Sequence, residues 1–122
     1  MAGNRKAVGS KGEGLAAEFL KRKGFRILER NYRTRAGEID IIARKGDTLV
    51  FVEVKTDRSG QFGPPETWVT PAKQRQIAKM ATWYINSKRI MGVDLRFDVI
   101  GISFKEGGRE INHIEDAFWV PG

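Results

Sequence analysis

The chain has 122 residues, of which 40% are hydrophobic. That length suits one compact domain with a single core and is too short for two. The lack of cysteine argues against disulfides and thiolate metal sites, and the single histidine, His113, argues against a histidine-based zinc cluster. Any metal should therefore be bound by oxygen.

Basic residues are concentrated near the N-terminus. The formal net charge is +7, and residues 1–35 contain 10 basic and 3 acidic residues, so this segment holds the whole excess. A basic segment attracts polyanions such as nucleic acids, and ordinary solubility charge is the alternative interpretation.

The N-terminal segment lacks the hydrophobic centre of a signal peptide, and the chain contains no apolar run of about 18 residues. We therefore expect a cytoplasmic protein that does not contact a membrane. Residues 1–9 predict a flexible basic arm, and residues 10–122 predict a single domain.

The first helix is predicted to begin with Ser10 as its N-cap and to end near Lys23, before Gly24. Glu13 follows Ser10 by three residues, which is the spacing of a capping box. Its helical phase also places Glu13 at the edge of the apolar stripe, so a carboxylate that faces inward toward a site is the other interpretation. The stripe contains Ala16, Ala17 and Leu20.

Residues 25–33 predict a strand in which polar and apolar side chains are interleaved. Arg30, Arg33 and Arg35 lie on this strand or directly after it, and they are candidate contacts to the phosphates of a nucleic acid. Surface charge that faces solvent is the alternative.

Residues 37–55 predict a β-hairpin, because two apolar runs flank Gly46-Asp47, a dipeptide that favours a two-residue turn. Side chains alternate between the two faces of a strand, so the register assigns each residue to a face. One face pairs Ile42 with Phe51, Asp40 with Glu53, and Glu38 with Lys55. The other face carries Ile39, Ile41, Val50, Val52 and Val54.

Asp40 and Glu53 would place like charges on directly opposed residues, which destabilises a sheet. Mg²⁺ or Mn²⁺ would relieve the repulsion, since carboxylates and a backbone carbonyl such as that of Val54 are its preferred ligands. The ammonium of Lys55 on the same face could position a water or stabilise charge on a phosphate. A solvated sheet face with a Glu38–Lys55 ion pair is the alternative.

Residues 56–69 predict a long loop that contains two glycines and two prolines. Loops of this length in a small domain are typically functional or disordered. Phe62 and Trp68 could stack on bases or insert into a DNA junction. Alternatively, Trp68 closes the core and Phe62 anchors the loop.

Thr70 and Pro71 predict the N-cap and first turn of a second helix, which runs to about Lys88. Lys73 and Gln74 would border the site at the start of this helix, where the backbone also favours phosphate. Polarity of the first turn without a function is the alternative. The buried stripe is predicted to contain Ile77, Ala81, Tyr84 and Ile85.

Residues 95–104 and 109–114 predict a second hairpin. Asp98 shares a strand face with Arg96, which favours a structural ion pair or a cap over catalysis, and His113 is predicted to be structural. Phe118 and Trp119 lie in a C-terminal tail that docks either on the core or on a partner.

Two resemblances carry specific expectations. Asp40, followed by Glu53-Val54-Lys55 on the next strand, resembles the PD-(D/E)xK nuclease superfamily. Over about residues 12–118 the chain also resembles the YraN family of uncharacterised bacterial proteins, which is related to archaeal Holliday-junction resolvases. The motifs that carry the second resemblance are GEIDIIAR, FVEVKT, Phe62-Gly63, TPAKQR from Thr70 and RFDV from Arg96.

These resemblances imply a single α/β domain of restriction-endonuclease-like fold, with a mixed sheet flanked by helices in the order α-β-β-β-α-β-β. They imply a metal-dependent DNA endonuclease that acts on branched or damaged DNA. Asp40, Glu53 and Glu13 would hold the metal, and Lys55 would position the water. A nucleic-acid-binding module with an idle site, or an adaptor in repair or recombination, is the alternative.

The resemblance also bears on partners. In the YraN pattern an arginine commonly follows Lys-Thr, whereas here Asp57 intervenes, and Arg58 is the arginine left to contact nucleic acid. Resolvase relatives pair as dimers because two strands must be cut, so a homodimer is one expected form of this chain.

Overall fold

The computed structural model describes residues 2–57, 63, 67–105 and 107–120. Helices and strands follow in the predicted order. They are α1 (Ala2–Arg22), β1 (Arg26–Thr34), β2 (Gly37–Lys45), β3 (Thr48–Asp57), α2 (Pro71–Lys88), β4 (Asp94–Lys105) and β5 (Gly108–Ile114). Within the described residues, neither helix is long and apolar enough to span a bilayer.

The strands form one five-stranded sheet in the order β1-β2-β3-β4-β5. Neighbouring strands are antiparallel except β3 and β4, which run parallel and are joined through α2. The predicted mixed sheet is therefore confirmed. The hairpin register is confirmed from Lys45–Thr48 to Ile41–Val52, but the predicted pairs Asp40–Glu53 and Glu38–Lys55 are not among the paired residues of these two strands.

The two helices cover opposite faces of the sheet. On β3, Phe51 packs in the cluster that contains α2, while Val50 and Val52 pack in the cluster that contains α1. Consecutive residues of a strand point to opposite faces, so the sheet has a hydrophobic core on each face. Each helix covers one of these two cores. This is the arrangement expected for the predicted restriction-endonuclease-like α/β domain.

The start of α1 differs from the prediction. The helix begins at Ala2, so the segment 1–9 that was predicted as a flexible arm is helical from Ala2 onward, and Ser10 is not an N-cap. The capping-box interpretation of Glu13 is therefore wrong. Ala2, Arg5 and Ala7 favour this extension whereas Gly3 and Gly9 oppose it, so helix propensity alone does not explain where the helix begins.

Helix α2 begins as predicted. The side chain of Thr70 accepts a hydrogen bond from the Lys73 amide at 3.2 Å, and Pro71 occupies the first turn. The buried residues of the helix are Ile77, Met80, Ala81 and Tyr84, with Ile85 partly buried. The cap thus fixes where Lys73 lies relative to the sheet.

The alternation of side chains is broken on β1 and β2 at the same level. Ile39 packs in the α2 cluster although Ile41 packs in the α1 cluster, so the prediction that both share a face is wrong. On β1, Arg30 lies over Gly14 of α1, whereas Tyr32 packs edge-on against Tyr84 of α2.

The backbone between these residues explains the break. Asn31 has φ 53°, and Asn31 and Asp40 are missing from the otherwise regular pairing between Arg30–Ile41 and Tyr32–Ile39. A left-handed residue in a strand rotates the following side chains onto the other face. Asp40 lies at this irregular position.

Trp68 closes the core, as one of the two alternatives predicted. Its indole nitrogen donates to the Gly63 carbonyl at 3.1 Å, and its ring lies so close to Gly101 that a Cβ there would be 2.7 Å from the ring. Phe62, the other aromatic residue considered with Trp68, lies outside the described residues.

Asp98 is fully buried and forms a dense hydrogen-bond network that joins four parts of the chain. Its carboxylate accepts two bonds from Arg96 and one from the Asp116 amide, all at 2.9 Å, and one from His113 Nε2 at 2.7 Å. His113 Nδ1 lies 2.7 Å from the ammonium of Lys23, which can only donate. The predicted ion pair between Arg96 and Asp98 and the structural role of His113 are confirmed.

Candidate functional site

Three carboxylates converge where α1 meets the break in β2. The oxygens of Glu13, Glu38 and Asp40 lie within 4.8 Å of one another, and all three residues are half-buried. Glycine makes the approach of α1 possible, since a Cβ at Gly12 would overlap the side chain of Thr56 on β3. We call Glu13, Glu38, Asp40 and the neighbouring Glu53 the acidic cluster.

Strands β2 and β3 separate at the cluster. Their pairing ends at Ile41–Val52, whereas the parallel pairing of β3 with β4 continues to Asp57–Ser103. Beyond Val52, the Val54 amide donates to Asp40 Oδ2 at 2.7 Å. The side chain of Asp40 thus takes the place of a backbone acceptor and is held between the two strands.

The environment of Asp40 disfavours its charged form. Burial raises its pKa from 3.8 to about 8, and repulsion from Glu53, Glu13 and Glu38 adds to the effect, while the hydrogen bond from the Val54 amide opposes it. Asp40 therefore holds a proton at neutral pH unless a cation replaces it.

The environment of Glu53 also disfavours its charged form. Burial and the charges of Glu38 and Glu13 raise its pKa, and the attraction of Lys73 and Lys55 opposes the rise. Its Oε2 is buried and has no hydrogen-bond partner among the described residues. A buried carboxylate oxygen without a partner is costly, and functional sites are where such costs are usually tolerated.

Basic side chains surround the cluster. Lys55 on β3 and Lys73 in the first turn of α2 both act on Glu53, and Arg33 Nε lies 3.4 Å from Glu38 Oε2. Arg33 is largely exposed, and Arg30 lies over Gly14, one residue beyond Glu13. These contacts leave the cluster bordered by cations on β1, β3 and α2.

The structure brings most of the predicted residues together. Glu13 and Asp40 lie together, and Glu53 is near enough for its charge to raise the pKa of Asp40, while Lys73 and Lys55 act on Glu53. Val54 contributes its amide to Asp40, and the predicted role of its carbonyl stays a prediction. The side chain of Gln74 donates instead to the Val69 carbonyl at 3.0 Å, Arg35 is exposed in the turn between β1 and β2, and Arg58 lies outside the described residues.

Glu38 was not among the predicted metal ligands. It was predicted to lie on the face of Asp40, opposite Lys55, with an ion pair to Lys55 as the alternative, but it lies beside Glu13 and Asp40 and pairs with Arg33. Two acids separated by one residue, as in Glu38-Ile39-Asp40, share a strand face, and that spacing was the available signal.

The acidic cluster could bind a metal ion. Carboxylate oxygens are the hard ligands preferred by Mg²⁺, Mn²⁺ and Ca²⁺, and several of them close together in a half-buried position repel one another without a cation. Burial and repulsion together raise the pKa of Asp40. Burial also leaves one oxygen of Glu53 without a hydrogen-bond partner among the described residues.

One solved structure shares some similarity with this chain, the structure of SfsA from Pyrococcus furiosus in complex with Ca²⁺. The two are 16% identical with a TM-score of 0.36, and the match covers 91% of this chain and 63% of SfsA. A TM-score this low supports no inference about this chain.

Sequence relatives are much closer. The chain is 52% identical over 118 residues to a UPF0102 protein of Geobacter metallireducens, with 97% of each chain covered. It is 52% identical over 111 residues to a UPF0102 protein of Syntrophus aciditrophicus, covering 91% of this chain and 87% of that protein. A UPF0102 protein of Alkaliphilus oremlandii is 53% identical over 115 residues, with 93% and 98% covered.

The family model described as uncharacterised protein family UPF0102 matches residues 12–102. This range begins next to Glu13 and includes every member of the acidic cluster, together with Lys55 and Lys73. The resemblance to YraN is confirmed, because UPF0102 is the YraN family. The chain belongs to the uncharacterised protein family UPF0102.

Proposed function

We propose that this protein is a metal-dependent endonuclease that hydrolyses phosphodiester bonds of DNA. The observation that carries the proposal is the acidic cluster, with its raised pKa values, beside Lys55 and Lys73. Structural ion networks neutralise their acids, whereas here four carboxylates share a half-buried site, and one oxygen lacks a partner among the described residues.

The donor set fits Mg²⁺ or Mn²⁺. Asp40 would be the central ligand, because its carboxylate lies within 4.8 Å of those of Glu13 and Glu38, and Glu53 would be a further ligand. A bound divalent cation polarises the phosphate and lowers the pKa of a water that attacks it. The zero-cysteine composition and the structural use of His113 leave oxygen as the ligand type in the chain.

The basic residues have separate roles in this proposal. Lys55 follows Glu53 by two residues on β3, so its ammonium would orient the attacking water or stabilise charge on the phosphate. Lys73 would hold a phosphate at the start of α2, where the helix dipole also attracts anions. Arg30, Arg33 and Arg35 on the β1 side would bind the DNA backbone without sequence preference.

Cleavage of a DNA panel tests the proposal. Linear, flapped and four-way DNA would be incubated with the protein in Mg²⁺ or Mn²⁺, and products would be resolved by denaturing electrophoresis. Asp40→Asn should abolish cleavage while DNA binding is unchanged or tighter, because a negative charge beside the phosphate path is removed. Lys55→Ala should also abolish cleavage but should keep metal binding, since an ammonium is not a ligand.

Glu18→Gln is the matched control. Glu18 lies on α1 like Glu13, but its side chain is 60% exposed and pairs with Lys21 at 3.6 Å on the surface. Its substitution should leave cleavage at the wild-type rate. If Asp40→Asn cuts DNA as fast as wild type, the acidic cluster does not catalyse the reaction and the proposal is wrong. Metal and DNA binding without cleavage of any substrate would favour the nucleic-acid-binding module.

An adaptor would bind its partner through exposed aromatic residues. Trp68 is not one of these, because it packs in the core and donates a hydrogen bond to the Gly63 carbonyl. Trp119 in the tail is exposed.

A further inference from the structure

A groove lies between α2 and the C-terminal tail. One cavity of about 390 Å³ is lined by apolar and aromatic side chains, among them Leu95, Phe97 and Phe118, with Arg75, Lys79 and Trp119 also in its wall. A second cavity of about 260 Å³ shares Arg75 and Trp119 with the first and extends to Pro71 and Gln74 in the first turn of α2. We call the two together the α2–tail groove.

The tail holds Trp119 in an exposed position. Phe118 stacks on Phe97 with ring centroids 5.0 Å apart, and the Ala117 amide donates to the Phe97 carbonyl at 2.7 Å. Trp119 follows these anchors, yet its side chain is 77% exposed. Anchored neighbours limit the freedom of the indole, so a planar ligand could stack on it at a low entropic cost.

The side of the groove formed by α2 is basic. Helix α2 contains four basic residues and no acidic residue. Arg75 and Lys79 are four residues apart, hence on one side of the helix, and neither forms a salt bridge within the part of the chain that the structure describes. Asp116 is the acidic residue in the lining. The charge therefore complements a polyanion.

We propose that the α2–tail groove binds an unpaired strand of DNA, with a base stacked on Trp119 and phosphates held by Arg75 and Lys79. A positive groove with an exposed aromatic side chain is the combination that single-stranded nucleic acids require. A duplex cannot use Trp119 in this way, because its bases are already stacked on one another. The inference rests on the proposed function in taking DNA as the ligand.

The position of the groove relates it to the acidic cluster. The groove begins at Pro71 and Gln74, in the helical turn that carries Lys73, which acts on Glu53. From Lys73 to Lys79 the helix rises about 9 Å. That distance corresponds to roughly three nucleotides at the 3.4 Å spacing of a stacked strand. The groove would therefore select substrates with an unpaired segment near the cleaved bond, such as flaps and branches.

Binding of a short, fluorescently labelled oligo-deoxythymidine, measured by anisotropy in EDTA, tests the groove without any catalytic metal. Trp119→Ala should weaken binding by about tenfold or more, because one stacked base is lost, and should leave the salt dependence unchanged. Trp119→Tyr should retain most of the affinity. Trp83→Ala is the matched control. Trp83 is also an exposed tryptophan and lies on α2, the helix that forms one side of the groove, but it does not line the groove.

Substitution of the basic residues should change the salt dependence of oligonucleotide binding. Arg75→Gln and Lys79→Gln should each make the log-log salt slope less steep by roughly 0.7, the value for one phosphate of a single strand. Asp40→Asn should bind the oligonucleotide at least as tightly as wild type. If Trp119→Ala and Trp83→Ala bind alike, with unchanged slopes for the arginine and lysine variants, the groove does not bind single strands.

Failure of this inference can be distinguished from failure of the proposed function. Cleavage that depends on Asp40, together with oligonucleotide binding that does not depend on Trp119, would contradict strand binding in the groove but support the nuclease function. Binding that depends on Trp119, without cleavage of any substrate, would support the groove and count against the nuclease. If Trp119→Ala instead dissociates a dimer in sedimentation experiments and leaves oligonucleotide binding intact, the groove is a self-association surface and the inference is wrong.

Discussion

Asp40 on β2 and Asp98 on β4 are both carboxylates inside the sheet region, but their surroundings are opposite. Burial would raise the pKa of Asp98, yet hydrogen bonds from His113, Arg96 and the Asp116 amide outweigh this and hold its pKa below the ordinary value. Asp40 has one hydrogen bond from the Val54 amide and three acidic neighbours, so its pKa rises to about 8.

The comparison separates a structural carboxylate from a candidate ligand. The charge of Asp98 is satisfied by groups from β4, β5, the tail and Lys23 directly after α1, with Lys23 acting through His113, and the residue is fully buried. The charge of Asp40 is left for something outside the chain to neutralise. Burial by itself therefore does not distinguish the two roles, whereas the sign of the pKa shift does.

The largest effect should come from removing the charge of Asp98. Asp98→Asn would place an amide donor against the guanidinium of Arg96 and leave that half-buried cation with Glu115, 3.9 Å away, as its acidic neighbour. We expect a loss of about 3–5 kcal/mol in the free energy of unfolding, measured with urea. A loss below about 1 kcal/mol would show that the network contributes little to stability and would contradict the structural role assigned to Asp98.

The pH dependence of stability should differ in sign between the two sites. Asp40 has a folded pKa above its unfolded value, so below pH about 4 it is protonated in both states, and stability falls as pH rises toward 8. The free energy of unfolding should fall by at most about 1.4 kcal/mol per pH unit in the range where the folded state holds one more proton than the unfolded state. Asp98 has a lowered pKa, so its contribution is constant above its unfolded pKa and is lost only in acid.

Urea unfolding in EDTA at several pH values between 5 and 8 would measure this slope. Asp40→Asn should remove most of the decline and should be more stable than wild type at pH 8. A flat wild-type profile over this range would contradict the raised pKa of Asp40 and, with it, the repulsion within the acidic cluster.

Divalent cations should produce the smallest of the three effects. At pH 8, Mg²⁺ or Mn²⁺ should stabilise wild type by RT ln(1 + [L]/Kd), which is about 2.7 kcal/mol at 100 times Kd. Asp40→Asn should lose this response and Glu18→Gln should keep it. Because the cation must displace a proton from Asp40, its affinity should rise with pH and level off above about 8. An affinity independent of pH would place the ion elsewhere.

Features set by neighbours in sequence were predictable. Gly46-Asp47 fixes the turn and thus the register of β2 and β3, and Thr70-Pro71 fixes the start of α2. Asp40, Glu53 and Lys55 could be placed near one another from that register alone. Glu13 required a choice between two roles, and only its contact with Glu38 and Asp40 across the fold decides its position.

Features set by distant contacts were not predictable. Simple alternation assigned Ile39 and Ile41 to one face, but they pack on opposite faces, at the level where Asn31 on the neighbouring strand is left-handed, and no local pattern demands that conformation. The network of Asp98 joins Lys23, Arg96, His113 and Asp116, which are brought together by packing of α1 and the tail against β4 and β5. Of these contacts, the sequence pattern indicated the ion pair with Arg96.

The hydrogen bond from the Val54 amide to Asp40 makes one backbone proton a reporter on the acidic cluster. When Asp40 loses its proton or binds a cation, the electron density at its Oδ2 changes, and the shielding of the Val54 amide changes with it. The chemical shift of that amide in a nitrogen-15 correlation spectrum should therefore follow the titration near pH 8 and the binding of Mg²⁺. Its rate of exchange with deuterium would report how often β2 and β3 separate further at this point, since no antiparallel pair beyond Ile41–Val52 holds them together.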